Sequence, residues 1–366
     1  MKWSDDLLLC SGHPDTPLRG QLQLAMYAIH LSLGNNIFCK SLRANTIEQY
    51  ILAVASFLLS HTGIDFRRDR PSDLTFGRFL TPVYKELRRY DTVPTRREPY
   101  TVEMHSVMRQ ITGKAHPLSM TAALNDWFEM GLLAGFRLSE WAQPNSHPSP
   151  YSPQRIEKTG FSIPTRAFVP NDFRAEVAGV GPVSGLTIAT HPVSSITKLW
   201  VRYRVQKNGQ NGEERLYVRN PTEGGHCFVS SAHRALQRFI TISRLVSGLN
   251  PASTPLAIYW DNTGKRPRSI TSSAIDECLR ALAQHVYHLD PVKDSEHLQR
   301  WGSHSLRVGA CVVLHSMNFS ALDIQWLLRW RSTAFMDYLR NNPLLPQRQF
   351  HAVDRAAAMP NWLHMT

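Results

Sequence analysis

The chain has 366 residues, enough for two domains that each bury a core of their own. Hydrophobic residues make up 42%, an ordinary globular share that excludes wholesale disorder. Forty-one Lys and Arg against 29 Asp and Glu leave a formal net charge of +12, which favours a polyanionic partner, nucleic acid first and an anionic membrane second.

Residues 1–18, punctuated by Gly and Pro, read as a loose arm. A helical domain is expected over 19–92. Its first helix runs from Arg19 to Leu33 with Leu22, Met26, Ile29 and Leu33 as apolar positions. Asn45-Thr-Ile-Glu48 reads as a capping box opening a second helix, whose stripe is Ile47, Tyr50, Ile51, Val54, Phe57 and Leu58 and which ends at Thr62-Gly63. A third helix covers Leu74 to Tyr90. Pro94, Arg96, Arg97 and Pro99 mark a linker at 93–100. A larger domain over 101–340 starts with helices at Met104–Gln110 and Met120–Glu140. The irregular Pro-rich stretch Pro144–Pro170 reads as an insertion. The clearest strand follows: Leu199, Val201, Tyr203 and Val205 alternate with Trp200, Arg202, Arg204 and Gln206. Lys207 to Gly212 turns the chain, and Leu216 to Arg219 returns it. Helices dominate after His233. The fold class is mainly α, with a small antiparallel sheet in the larger domain. The tail, 341–366, opens on Asn341-Asn-Pro343 and carries apolar anchors (Leu344, Leu345, Phe350, Val353, Met359, Trp362, Leu363) that suit docking either on a neighbouring copy or on its own domain.

Five cysteines, odd in number and without C-x-x-C spacing, fit free thiols in a reducing compartment. No apolar run reaches membrane-spanning length, and Met1-Lys-Trp-Ser lacks the regions of a signal peptide. A soluble intracellular protein with no membrane partner is expected.

The chemistry concentrates in Arg137, His304, Arg307, Trp330 and Tyr338. Two guanidiniums can grip the non-bridging oxygens of one phosphodiester. His304 can supply a proton or a hydrogen bond, and the Trp330 indole N–H is a pure donor suited to an oxyanion. The Tyr338 phenol becomes a nucleophile where cations favour its phenolate. Taken singly, each residue has a plainer reading: Arg137 as half of a helix pair with Glu140, His304 as a helix-start residue, Trp330 and Tyr338 as core aromatics. His226-Cys227 with His233 lacks zinc-site spacing and a fourth ligand, and no carboxylate cluster suggests a two-metal nuclease. Neither a metal nor a cofactor is expected.

The order Arg, His-x-x-Arg, Trp, Tyr resembles the signature of the tyrosine recombinases, the phage-integrase family. Gly131-Leu-Leu-Ala-Gly-Phe-Arg137-Leu-Ser-Glu140 is similar to its first arginine box, Ser303-His304-Ser-Leu-Arg307-Val-Gly-Ala310 to its second, and Asp323 to Tyr338 to its third. The wording is nearest to recombinases of eukaryotic mobile elements of the Crypton and DIRS type. Trp330 stands where histidine is commoner, and Tyr338 follows it by eight residues where bacterial members usually have nine. The resemblance implies an N-terminal helical, SAM-like core-binding domain and an α-rich catalytic domain that clamp double-stranded DNA. It implies cleavage and rejoining through a 3′-phosphotyrosine, without cofactor, by a homotetramer on two DNA sites, and a nuclear location in a eukaryotic host. It also implies that a lysine in the hairpin turn, Lys207 with Lys198 as runner-up, protonates the leaving 5′ oxygen, and that Glu140 orients the site. Arg43, Arg88, Arg89, Arg96, Arg97, Arg202 and Arg204 are the candidate DNA contacts. A type IB topoisomerase and an inactive, domesticated DNA-binding protein are the alternatives.

Overall fold

The computed structural model describes residues 16–34, 41–69, 76–91, 96–142, 154–155, 162–163, 167–204, 211–330 and 332–339. The chain divides into two compact units, residues 1–95 and 96–366. It is mainly helical, with a small antiparallel sheet in the second unit.

The first unit packs three helices: α1 (Thr16–Ser32), α2 (Ala44–Thr62) and α3 (Leu80–Tyr90). Its core is Leu24, Ala25, Ala28 and Leu31 from α1, Ile47, Ile51 and Ala55 from α2, and Leu80 and Tyr84 from α3, closed by Phe66. The α1 face therefore differs from the one expected: Leu22, Met26, Ile29 and Leu33 are exposed, and so are Tyr50 and Phe57 on α2. On α2 the expected Ile47 and Ile51 are core and Val54 and Leu58 pack against it, whereas on α1 the interior is taken by Leu24, Ala25, Ala28 and Leu31. The expected Asn45 capping box also gives way. Helix α2 begins at Ala44 with Arg43 as its N-cap, two residues before Asn45, and the Asp91 carboxylate takes the Ala44 N–H at 3.0 and 3.1 Å. Glu48 pairs instead with Arg88 at 2.8 Å. An acid brought in from 47 residues away serves the same dipole and orphan donors as a local cap. Gly63, at φ 73°, ends α2 as expected.

The second unit is built around α5 (Met120–Ala134), which is buried almost all round: Ala123, Trp127, Phe128 and Met130 have no exposed surface. Helix α4 (Val102–Thr112) packs on it, as do α7 (Phe228–Leu245) and α10 (Ser305–Ser316). A single helix from Met120 to Glu140 was expected. Instead Gly135, at φ 59°, ends α5, and a four-residue helix α6 (Leu138–Trp141) follows. A Cβ at Gly135 would lie 2.8 Å from Leu328 Cδ2, so both the left-handed turn and close packing require glycine.

Beyond a two-residue ladder of β1 (Gln154–Arg155) and β2 (Ser162–Ile163), the sheet holds β3 (Phe173–Val177), β4 (Gly181–Ser184), β5 (Ile196–Tyr203) and β6 (Glu213–Val218) in the order β4-β3-β5-β6. The alternating stretch forms the β5–β6 hairpin, with Leu199 opposite Tyr217 and Val201 opposite Arg215. Leu199, Val201 and Tyr203 face the core. The β3–β4 hairpin escaped the sequence reading: its turn uses Gly179 and Gly181 at positive φ, inside a stretch short of strand alternation. Lys207 lies outside the described residues, as do Val205, most of the Pro-rich insertion, residues 1–15 of the N-terminal arm and the 341–366 tail; the arm's last residues, from Thr16, already belong to α1. The chain continues through β7 (Ile258–Asp261), β8 (Arg266–Ser269), α8 (Ser272–Tyr287), α9 (Ser295–Leu298), α10, α11 (Ala321–Leu328) and α12 (Met336–Leu339). A second, smaller core of Ala310, Cys311, Ile324, Leu328, Phe335 and Leu339 carries Trp330 and Tyr338 on its edge. No helix among the described residues is long and apolar enough to cross a membrane.

Candidate active site

Three sequence-distant segments meet around Arg307: the Gly135–Glu140 turn, the start of α10, and the stretch from α11 to α12. Helix α10 can lie close to the chain at Tyr100 because Gly309 has no side chain; a Cβ there would meet the Tyr100 carbonyl oxygen. The Tyr100 N–H donates to Ser305 O at 2.9 Å, fixing the residue next to His304.

Arg307 is 1% exposed. Its guanidinium donates to the carbonyl of Gly135 and, at 2.7 Å, to that of Leu328, which ties the turn after α5 to the end of α11. Its Cζ lies 4.2 Å from the Trp330 ring centroid, a cation–π contact. Two of its five N–H donors are so used, which leaves others for an anion.

Arg137 is not a mid-helix residue but the N-cap of α6. Its main-chain N–H and Nη1 both donate to Glu140, at 2.9 and 3.0 Å, and its side chain is 23% exposed, the most open cation of the set. Glu140 is almost fully buried. Burial alone would raise its pKa, but the hydrogen bonds and charges of Arg329 and Arg137 outweigh that and hold it below the usual carboxylate range.

The sequence reading missed Arg329. It occupies the left-handed C-cap of α11 at φ 58°, a strained conformation for an arginine. From there both terminal nitrogens reach Glu140 at 2.9 Å, and Cζ sits 3.7 Å over the Tyr203 ring of β5. The one available signal was an unassigned arginine directly before Trp330, in a set where Glu140 had a single named partner.

His304 N-caps α10, and its Nε2 lies 2.8 Å from the Tyr338 hydroxyl. Burial, then the charges of Arg307, Arg97 and Arg137, push the imidazole down to about 4, so it is neutral at physiological pH. Cations were expected to favour the Tyr338 phenolate. In the fold burial dominates and raises the phenol's pKa, Arg307 opposing it only in part. The Tyr338 phenol is thus protonated and shares a hydrogen bond with a neutral imidazole. The Trp330 ring lies 5.7 Å from the Tyr338 ring, and its indole nitrogen is buried without a hydrogen-bond partner. Arg96 donates to the carbonyl of Asp337 at 3.0 Å, fixing the short helix that presents Tyr338.

The structure brings Arg137, Glu140, His304, Arg307, Trp330 and Tyr338 together. Arg97 binds Gln299 O at 2.6 Å beside them. Arg204 is bound to the buried Asp172 at 2.8 Å and to Ala167 O, a structural pairing, while the exposed Arg202 stands 3.6 Å from the same acid. In the first unit Arg43 is exposed, Arg88 pairs with Glu48, and Arg89 lies 3.8 Å from Glu86. Lys198 pairs at the surface with Glu176 at 3.1 Å.

No protein-family model matches this chain, and no curated protein does. Among solved structures, it is similar to the Tn1549 transposon integrase in complex with transposon right-end DNA: identity is 12% and the TM-score 0.44, over 92% of this chain and 85% of that one. It is also similar to the XerH site-specific recombinase in a post-cleavage complex with palindromic difH substrate, at 13% identity and TM-score 0.46, over 91% of this chain and 71% of that one. At these identities the likeness concerns the course of the chain and says nothing of single residues.

Proposed function

We propose that this chain breaks and rejoins DNA strands at specific sites through a covalent phosphotyrosine, serving integration or recombination of a mobile element. The observation that carries the reading is the Tyr338 hydroxyl held 2.8 Å from a neutral His304, within a shell of three guanidiniums balanced by one carboxylate. Such a site lacks one negative charge or more, and a phosphodiester supplies it. His304 accepts the phenol proton as the Tyr338 oxygen attacks phosphorus. The new Tyr–O–P bond forms at the 3′ phosphate while the bond to the 5′ oxygen breaks, and a lysine, Lys207, gives the leaving oxygen its proton. Arg137, Arg307 and the unpartnered Trp330 N–H receive the charge that builds on the non-bridging oxygens, the work preorganised donors do best. Attack by a partner strand's 5′ hydroxyl reverses the steps, so bond energy is conserved and needs no cofactor. Four protomers on two sites would complete an exchange.

A nicked suicide duplex in magnesium-free buffer tests this. Wild-type protein should form an adduct that survives denaturant, and Tyr338→Phe should form none while binding duplex as before. An adduct in the Phe variant, or a strict need for magnesium in the wild type, overturns the assignment.

A further inference from the structure

Away from Tyr338, three side chains from separate stretches converge: His105 of α4, Glu129 of α5 and His226 in the segment before α7. One ligating atom from each lies within 4.8 Å of the other two. His105 Nε2 is 3.8 Å from Glu129 Oε2, and His226 Nδ1 is 3.7 Å from Glu129 Oε1. Those separations exceed hydrogen-bonding distance, and both imidazole nitrogens are buried without a hydrogen-bond partner. His105 has no exposed surface at all, so its bare nitrogen carries a desolvation cost that nothing hydrogen-bonded offsets.

We propose that His105, Glu129 and His226 bind one divalent transition-metal ion, zinc by its ligand chemistry, with solvent as fourth ligand. Two imidazoles and a carboxylate form a known zinc ligand set; bonds of about 2.0–2.2 Å in tetrahedral geometry place neighbouring ligand atoms roughly 3.3–3.6 Å apart. The pairs at 3.7 and 3.8 Å, which engage different oxygens of Glu129, need close by only a few tenths of an ångström, and the widest separation in the set, up to 4.8 Å, by about 1 Å. The surrounding bonds hold the ligands in the required state. His105 Nδ1 is 2.9 Å from the Tyr100 hydroxyl, so a metal on Nε2 leaves Nδ1–H to donate there, the usual way a ligating histidine is oriented. Glu129 accepts the Cys227 N–H at 2.8 Å and the Ser231 hydroxyl at 3.0 Å, one on each oxygen, which keeps a lone pair free on both. The nearest competing cation, Arg234 at 3.6 Å, is committed to Asp126 at 2.6 Å and Ser231 at 2.8 Å. His226 is 36% exposed and gives the ion its way in. Sequence reading set His226 beside Cys227 and His233, but the fold turns His233 to the carbonyl of His191 and supplies ligands 121 and 97 residues upstream, at His105 and Glu129. The ion would pin the segment before α7 to α4 and α5, a structural task separate from strand cleavage.

The test uses full-length protein stripped with a chelator and titrated with zinc against a chromophoric competitor. The wild type should take up one equivalent and melt at higher temperature with zinc than without. Cobalt in its place should show the intense visible bands of a four- or five-coordinate ion. His226→Ala removes a half-exposed ligand at little packing cost. It should weaken uptake by about 100-fold or more, since even outer partners of a metal site are worth 10- to 100-fold, and should abolish the thermal response. Glu129→Gln should behave alike; if it fails to fold, His226→Ala decides. Uptake well below one equivalent in the wild type, or undiminished uptake in His226→Ala, overturns the site.

Discussion

Replacing Glu140 by Gln would strike the point where the arginine cluster is held. The carboxylate accepts Arg329 through two bonds of 2.9 Å, Arg137 Nη1 at 3.0 Å and the Arg137 N–H at 2.9 Å. Glutamine keeps the shape but turns one oxygen into an amide that faces donors with a donor. Arg137, 23% exposed, recovers part of its loss from water, whereas the Arg329 side chain, 1% exposed, cannot. Breaking such a buried pair from one side costs about 3–5 kcal/mol. A domain of this size loses roughly 2–4 °C of melting temperature per kcal/mol, so the shift should be about 6–20 °C. Calorimetric melting of the DNA-free protein measures it, and suicide-substrate cleavage run well below the variant's melting point should fall with it. Adding Arg329→Met removes the stranded charge, so the double variant should lose less than the two single losses combined. A shift under about 2 °C, or losses that simply add, would show that the cluster does not rest on Glu140.

Other consequences follow from the same geometry. His304 is held at about 4 in the DNA-free fold, against an ordinary 6.5. Between those pH values the unfolded chain binds a proton that the folded chain does not, so acidification through this window should cost up to about 3 kcal/mol. The stability of His304→Gln relative to wild type should rise by that amount from pH 7 to pH 4; a constant difference in denaturant midpoints would refute it. Arg307→Lys keeps the charge but cannot span the carbonyls of Gly135 and Leu328. Single-turnover cleavage should drop by about 10²–10³ while duplex binding changes little, and near-wild-type rates would refute the bridging role. Lys207→Ala should slow cleavage of an ordinary duplex yet recover most activity on a 5′-bridging phosphorothioate, whose leaving group hardly needs a proton. Equal impairment on both substrates would make Lys207 a binding residue and Lys198 the next to test.

Much of this protein is written in local sequence. The β5–β6 hairpin follows from strict alternation, because a strand's period of two leaves no other way to bury Leu199, Val201 and Tyr203. Gly63 and Ser320, which caps α11 through Asp323, mark helix ends by bonds that span only three or four residues. The candidate catalytic residues were legible because their order and spacing are carried along the chain itself. What the sequence withheld depends on partners far apart. Helix α1 offers two apolar faces, and only the fit to its neighbours selects Leu24, Ala25, Ala28 and Leu31 over Leu22, Met26, Ile29 and Leu33. Asp91 caps α2 across 47 residues, and Arg329 reaches Glu140 across 189. The upward push on the Tyr338 phenol's pKa is likewise set by burial, which no linear pattern encodes. His105, Glu129 and His226 become neighbours only once α4, α5 and the segment before α7 have packed. Capping, period and turn chemistry act over a few residues and can be read in order. Charge pairing, desolvation and ligand geometry act through space, and the tertiary fold alone sets those distances.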